Sequence, residues 1–91
     1  MIVVTTLLNP PCTKAEQVEI YGKQYRMSGN SSPEHIKEIA VYVDRKMKEV
    51  AVENPQLDSS RLAVLSAVNI ADEYLRLKVE YDELVTLFDS N

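Results

Sequence analysis

Residues 60–88 read SRLAVLSAVNIADEYLRLKVEYDELVTLF, a run without proline or glycine. Small or apolar residues recur along it in alternating steps of four and three, the heptad spacing that keeps one stripe of a helix facing a partner helix. A helix of this length is roughly 45 Å long, and the rest of a small chain cannot cover it. We therefore expect it to join copies of the chain. The predicted oligomer interface is the seam formed by Ala63, Ala67, Ile70, Tyr74, Leu77, Tyr81, Leu84 and Phe88.

The composition of this helix changes near Asp72. Residues 62–71 are apolar nearly all round, which predicts burial on most sides, with Asn69 as an internal polar residue that fixes the register or bonds to a neighbouring loop. Residues 72–88 narrow to the seam. The change predicts a helix that leaves a globular head and continues as a coiled-coil stalk. Packing of the whole seam on the first helix of the same chain is the alternative, but it would leave the distal seam and Leu87 exposed.

The negative charge of the chain is concentrated in the same helix. The net charge is −4, and residues 62–91 hold six acidic and two basic residues, a net charge of −4 by themselves. An acidic stalk argues against a continuous basic groove for nucleic acid.

No apolar run is long enough to cross a membrane. The single cysteine, Cys12, cannot form an internal disulfide, so the composition indicates a cytosolic protein.

The sequence offers no convincing catalytic, cofactor-binding or metal site. His35 is the single histidine, and it lies far from Cys12 in sequence, so the two suggest neither a metal site nor a nucleophile pair. Two glycines cannot supply a glycine-rich phosphate loop. Asp72 and Glu73 are adjacent and point to different sides of a helix, which predicts solvent-facing charges rather than an acid–base pair. We therefore expect a protein that is not an enzyme.

A β-hairpin is predicted over residues 18–27. A two-residue type II′ turn at Gly22-Lys23 would oppose Glu19 and Arg26 on one face. The apolar face of that hairpin consists of Val18, Ile20, Tyr25 and Met27. A two-stranded hairpin is marginally stable alone, so it must rest on a helix, and its open edge invites another strand.

The first helix is predicted to begin at Pro33, with Ser31 or Ser32 as its cap, and to end at Asn54-Pro55. Asp58 or Ser59 can cap the second helix.

The resulting fold class is α+β: a short hairpin and a helix form a small head, and a long coiled-coil helix follows. The predicted domains are an irregular segment over residues 1–17, with a short strand at residues 2–7, the head over residues 18–71 and the stalk over residues 72–91. The apolar stripe of the first helix contains Ile36, Ile39, Ala40, Val43, Met47 and Val50.

Three stretches of the chain resemble one known family. LDSSRLAVLSAVNIADEY at residues 57–74 closely resembles the signature block of ZapA, a bacterial cell-division protein family. VEIYGKQY at residues 18–25 is similar to the strand-turn-strand of that family, and VDRKMKEV at residues 43–50 is similar to the end of its first helix. The resemblance covers roughly residues 18–88.

The resemblance implies a non-enzymatic protein that forms a homodimer, or a homotetramer of two dimers joined along their stalks. It implies binding to FtsZ, a tubulin-like GTPase, and cross-linking of FtsZ protofilaments in the cytoplasm at the midcell division ring. From the acidic stalk, the short apolar runs and the lack of site motifs, we expect no nucleic acid, membrane or cofactor. A generic homodimeric coiled-coil adaptor with a different protein partner is the alternative. The candidate FtsZ-binding residues that the resemblance implies are Lys23, Arg45, Lys46, Lys48 and Arg61.

Overall fold

A three-stranded antiparallel sheet precedes two helices in the computed structural model, which describes residues 2–5 and 15–89. The order of the strands in the sheet is β1-β3-β2. This layout confirms the predicted α+β fold class, with a small head followed by a long helix. The elements are β1 (Val3–Thr5), β2 (Glu16–Ile20), β3 (Lys23–Ser28), α1 (Pro33–Glu53) and α2 (Ser59–Asp89).

The hairpin of β2 and β3 turns one residue earlier than the sequence suggested. Ile20 pairs with Lys23, so the turn residues are Tyr21 and Gly22, with φ angles of 51° and 80°. Positive φ at both central positions defines a type I′ turn, and the predicted type II′ turn at Gly22-Lys23 is wrong. The twist of a type I′ turn matches that of the flanking strands, and Gly22 accepts positive φ without strain.

The new register preserves the predicted faces but not the predicted cross-strand pairs. Each partner shifts by two residues, and side chains alternate with a period of two, so the same residues still face the core. Val18 now lies opposite Tyr25, and Val18 is 7% exposed. The predicted pairing of Glu19 with Arg26 is wrong: Glu19 lies opposite Gln24, whose Nε2 donates to Glu19 Oε1 over 2.9 Å.

The hairpin is extended by a strand from the same chain. β1 pairs antiparallel with β3, with Val4 opposite Met27, which confirms a short strand within residues 2–7. β3 is therefore the central strand, and β1 and β2 are the two edges. Regular structure also begins before residue 18, because β2 starts at Glu16. Residues 6–14, which include Cys12, lie outside the described residues.

Helix α1 has the predicted boundaries. Ser32 is its N-cap, with Ser32 Oγ accepting from His35 N over 3.2 Å, and Pro33 is its first residue. At the other end, Asn54 Nδ2 donates to Val50 O over 3.0 Å. Pro55 then prevents the helix from continuing. The predicted stripe faces the core: Ile36, Ala40 and Met47 are buried, and Ile39, Val43 and Val50 are half-buried.

Helix α2 contributes little to the core of its own chain. Asp58 Oδ1 accepts from Arg61 N over 3.0 Å and so caps the helix. Leu62 and Ser66 are the buried residues of α2, and the described residues from 71 to 89 are all exposed. The core consists of Val18, Ile20, Ile36, Ala40, Met47 and Leu62.

The prediction that residues 62–71 are buried on most sides is wrong for a single chain. Val64 is 65% exposed and Val68 is 58% exposed, because the head covers one side of α2 and leaves the others open. Asn69 is exposed as well, and its Nδ2 donates to Leu65 O of the preceding turn over 2.9 Å. Asn69 is therefore not a buried polar residue within the chain.

Candidate interaction surfaces

The predicted seam forms an exposed apolar surface along α2. Ile70, at the level of the head, is half-buried, whereas Ala63 and Ala67 are exposed. Contiguous exposed apolar surface of this kind marks an interface. The exposed fractions of the large distal seam residues are 61% for Tyr74, 65% for Leu77, 64% for Tyr81, 53% for Leu84 and 74% for Phe88.

A second apolar stripe lies on another side of α2, and the sequence reasoning did not separate it from the seam. It consists of Val64, Val68, Leu75 and Val79, which are between 56% and 65% exposed. With 3.6 residues per turn, Leu75 lies about 140° around the helix from Ile70. Exposed apolar surface therefore lies on two sides of α2. No helix within residues 2–5 and 15–89 has both the length and the apolar character required to cross a bilayer.

A polar cluster joins α1 to α2, and we call Tyr42, Lys46 and Glu73 the head–stalk bracket. Tyr42 Oη donates to Glu73 Oε1, and Lys46 Nζ donates to Glu73 Oε2. Lys46 Nζ also lies 3.6 Å from Glu49 Oε1, and the Lys46 side chain is 15% exposed. The Arg45 guanidinium carbon lies 5.4 Å from the centroid of the Tyr42 ring. The bracket therefore ties the outer face of α1 to the point where α2 leaves the head.

Electrostatics within the bracket favour the charged forms of its ion pair. The hydrogen bond from Lys46, and then that from Tyr42, hold the pKa of Glu73 below its ordinary value. The hydrogen bond to Glu73 raises the pKa of Lys46, and it also raises the pKa of Tyr42. Both charges are exposed, as predicted: the Glu73 side chain is 44% exposed although it bonds to α1, and Asp72 Oδ2 accepts from Arg76 Nε within the stalk over 3.0 Å. Tyr42 and Lys46 are one turn apart beside the apolar stripe, but their partner is 27 residues or more away in sequence, so no local signal revealed it.

A second polar contact holds the hairpin turn against α1. Asp44 Oδ1 accepts from Tyr21 N over 2.8 Å, and Lys48 Nζ lies 3.0 Å from Asp44 Oδ2. The backbone hydrogen bond from Tyr21, and then the bond from Lys48, lower the pKa of Asp44. Tyr21 has left-handed backbone geometry that few residues other than glycine adopt, and Asp44 stabilises it there.

The five basic candidates lie in two regions of the head. Lys23 lines a groove of about 370 Å³ between the sheet and the first turn of α2, and Arg61 lies in that turn. The other three lie within about one turn of α1. Of these, Lys46 and Lys48 have carboxylate partners in the same chain, and Arg45 stacks over Tyr42. Residues 2–5 and 15–89 include no group of three His, Cys, Asp or Glu side chains arranged to hold a metal ion.

The fold and these surfaces define a class of small protein in which an α+β head carries a long helix with exposed apolar surface. A family model described as cell division protein ZapA matches residues 17–89. A cell division protein ZapA of Geobacillus thermodenitrificans is 57% identical over 67 residues, which cover 74% of this chain and 74% of that relative. The corresponding protein of Bacillus anthracis is 52% identical over 67 residues, which cover 74% of this chain and 75% of the relative.

A solved structure gives the same result at the level of the fold. A ZapA mutant dimer from Geobacillus stearothermophilus superposes with a TM-score of 0.66 at 43% sequence identity, covering 92% of this chain and 96% of that chain. The chain therefore belongs to the ZapA family of cell division proteins.

Proposed function

We propose that this chain is a non-enzymatic cell-division protein that self-associates through α2, binds FtsZ and cross-links FtsZ protofilaments at the cytoplasmic division ring. The observation that carries the proposal is the exposed seam of α2 in a member of the ZapA family. Such a seam has no use in an isolated chain, where it would remain in water. It is useful in a protein that must hold two binding heads together.

Self-association supplies the two heads. The seam provides one helical interface, and the solved relative is a dimer. The second stripe provides apolar surface for a further helix or head, which suits a dimer of dimers. Two identical heads on a stiff spacer raise the effective concentration of the second head once the first has bound, so a weak contact with each filament becomes a durable cross-link.

The head supplies the proposed contact with FtsZ. We assign it to Lys23, Arg45, Lys46, Lys48 and Arg61, which would attract an acidic partner surface. Lys46 is the least available of these, because its side chain is 15% exposed and already bonds to Glu73. Arg45 and Arg61 are exposed, so they are the first positions to test.

The test is sedimentation and light scattering of FtsZ polymers with and without the full chain. We expect more FtsZ in the low-speed pellet when the chain is present, and no increase with Leu84→Glu, which places a charge on the seam far from the head. Oligomers that neither bind nor bundle FtsZ at any salt concentration would contradict the proposal and favour an adaptor with a different partner.

Charge reversal tests the binding residues. Arg45→Glu and Arg61→Glu should each weaken co-sedimentation with FtsZ while the oligomer stays intact. Lys78→Glu on the stalk is the matched control, with the same change in charge outside the head, and it should leave co-sedimentation unchanged. Equal losses in all three variants would point to net charge rather than to a binding surface.

A further inference from the structure

The head holds α2 over a short contact. The helix contributes Leu62 and Ser66 to the buried interior, Ile70 is half-buried, and residues 71–89 are exposed. The contact from Leu62 to Glu73 therefore spans about three helical turns, after which α2 leaves the head. An apolar contact this short does not by itself define one direction for a long helix, because aliphatic side chains can slide past one another.

The head–stalk bracket lies at the outer end of that contact. Both oxygens of the Glu73 carboxylate are used, one by Tyr42 Oη and one by Lys46 Nζ. Lys46 is held in turn by Glu49, and Arg45 lies over the ring of Tyr42. Charge-assisted hydrogen bonds to both oxygens of one carboxylate impose direction as well as distance, which apolar packing does not.

A small displacement at the bracket becomes a larger displacement at the end of the stalk. Along α2, Glu73 is roughly 16 Å from Leu62, and the end of the helix is roughly 24 Å further on. A shift of about 1 Å at Glu73 therefore moves the end of the stalk by about 2.5 Å. Exposed ion pairs ordinarily add little to the free energy of unfolding, so orientation is the property that this cluster can control.

We propose that the head–stalk bracket is a positioning device that fixes the angle between head and stalk, and thereby sets the spacing of the FtsZ filaments that two heads join. The claim about filament spacing rests on the proposed function, whereas the claim about the angle between head and stalk concerns this chain alone. Tyr42 and Glu73 act here through the direction of α2 and not by touching FtsZ, whereas Lys46 is also one of the proposed FtsZ contacts.

The angle is tested by electron–electron dipolar spectroscopy. Spin labels at Glu34→Cys in α1 and Glu83→Cys in the stalk, in a Cys12→Ser background, report the separation of the two diverging helices. Dilution into unlabelled protein restricts the signal to distances within one chain, whatever the oligomeric state. Tyr42→Phe with Glu73→Gln should give a broader distance distribution shifted to longer distances. Asp72→Asn, which removes the same charge one residue away, should leave the distribution of the parent unchanged.

An unchanged distribution in a variant that circular dichroism shows to be folded would overturn the proposal.

The spacing is tested by cryo-electron microscopy of FtsZ bundles. We expect the double variant to co-sediment with FtsZ like the parent but to give a wider range of filament spacings. A spacing as uniform as that of the parent, together with a broadened distance distribution, would overturn the link to spacing. If the parent fails to bind FtsZ, the proposed function fails, while the spectroscopy still decides whether the bracket fixes the angle.

Discussion

Ser66 is buried on the side of α2 that faces the head, with 2% of its surface exposed. Its Oγ has no hydrogen-bond partner within the described residues. A buried hydroxyl without a partner has lost its bonds to water and gained none in return, which costs free energy. The small side chain suits the close approach of the head, but the oxygen adds nothing to that contact.

Replacing Ser66 by alanine should therefore stabilise the protein. We expect Ser66→Ala to raise the free energy of unfolding by about 1 kcal/mol, because the unsatisfied hydroxyl is removed and alanine is the better helix former. Urea unfolding at a fixed protein concentration measures the change. Ser60→Ala, at an exposed position of the same helix, is the control and should stay within about 0.5 kcal/mol of the parent. A larger loss of stability in Ser66→Ala than in Ser60→Ala would contradict this account.

Asp44 and Glu73 should add a small sensitivity to acid to the stability of the fold. Hydrogen bonds lower the pKa of both carboxyl groups in the folded chain, so the folded state binds their protons more weakly than the unfolded state does. Their contribution is present above the ordinary carboxyl values of about 4 and is lost as the pH falls through the lowered folded values. Urea midpoints measured between about pH 5 and pH 2.5 should therefore fall more steeply in the parent than in Asp44→Asn with Glu73→Gln. Parallel pH profiles would show that neither contact is coupled to folding.

At the scale of the element, α2 is a helix with apolar surface on several sides and a head on one. Leu84 lies on the seam and is 53% exposed. If the seam is an oligomer interface, Leu84→Glu buries an unpaired carboxylate in each protomer and should weaken association by about 3 kcal/mol or more per dimer. Light scattering coupled to size exclusion should then show a monomer, and circular dichroism should show less helix than in the parent, because the stalk has lost its partner.

Val52→Glu is the control for that experiment. Val52 is 80% exposed on α1, away from α2, so the charge should stay in water and the molar mass should not change. Loss of the oligomer in both variants would mean that added negative charge, and not the seam, controls association.

At the scale of the whole molecule, the chain is more elongated than a compact domain of its length. Its radius of gyration is 16.7 Å and its principal extents are 56 × 39 × 16 Å, whereas a compact domain of this length has a radius of gyration of about 12 Å. The stalk accounts for this difference, because residues 71–89 cover no core. Folding and association should therefore be coupled.

The coupling predicts that stability depends on concentration. A tenfold increase in protein concentration should stabilise a folded dimer by about 1.4 kcal/mol, which raises the midpoint of thermal unfolding. Calorimetry over a hundredfold concentration range measures this effect. The midpoint of Leu84→Glu should stay constant over the same range, and a constant midpoint in the parent would show that the chain folds without a partner.

The sequence by itself determined the elements whose signals are local. The start of α1 at Pro33 behind a serine cap, the Asn54-Pro55 stop, a cap of α2 at Asp58 or Ser59 and the seam of α2 each follow from residues within a few positions of one another. The structure then selected Ser32 and Asp58 as the caps. The faces of the hairpin were also predictable, because alternation survives a register shift of two residues. The family resemblance had the same origin, since contiguous residues carry its blocks.

Only the tertiary structure decided which distant groups meet. The turn moved to Tyr21-Gly22, with Asp44 of α1 accepting from Tyr21 N, and β1 joined β3 across residues that no local pattern connects. Glu73 is exposed, yet it bonds to Tyr42 and Lys46 of α1. Hydrogen bonds and ion pairs between elements depend on how those elements pack against each other. No short stretch of the sequence specifies that packing. Periodicity therefore predicted that α2 needs a partner, while the direction in which the head points α2 depends on contacts between residues about thirty positions apart.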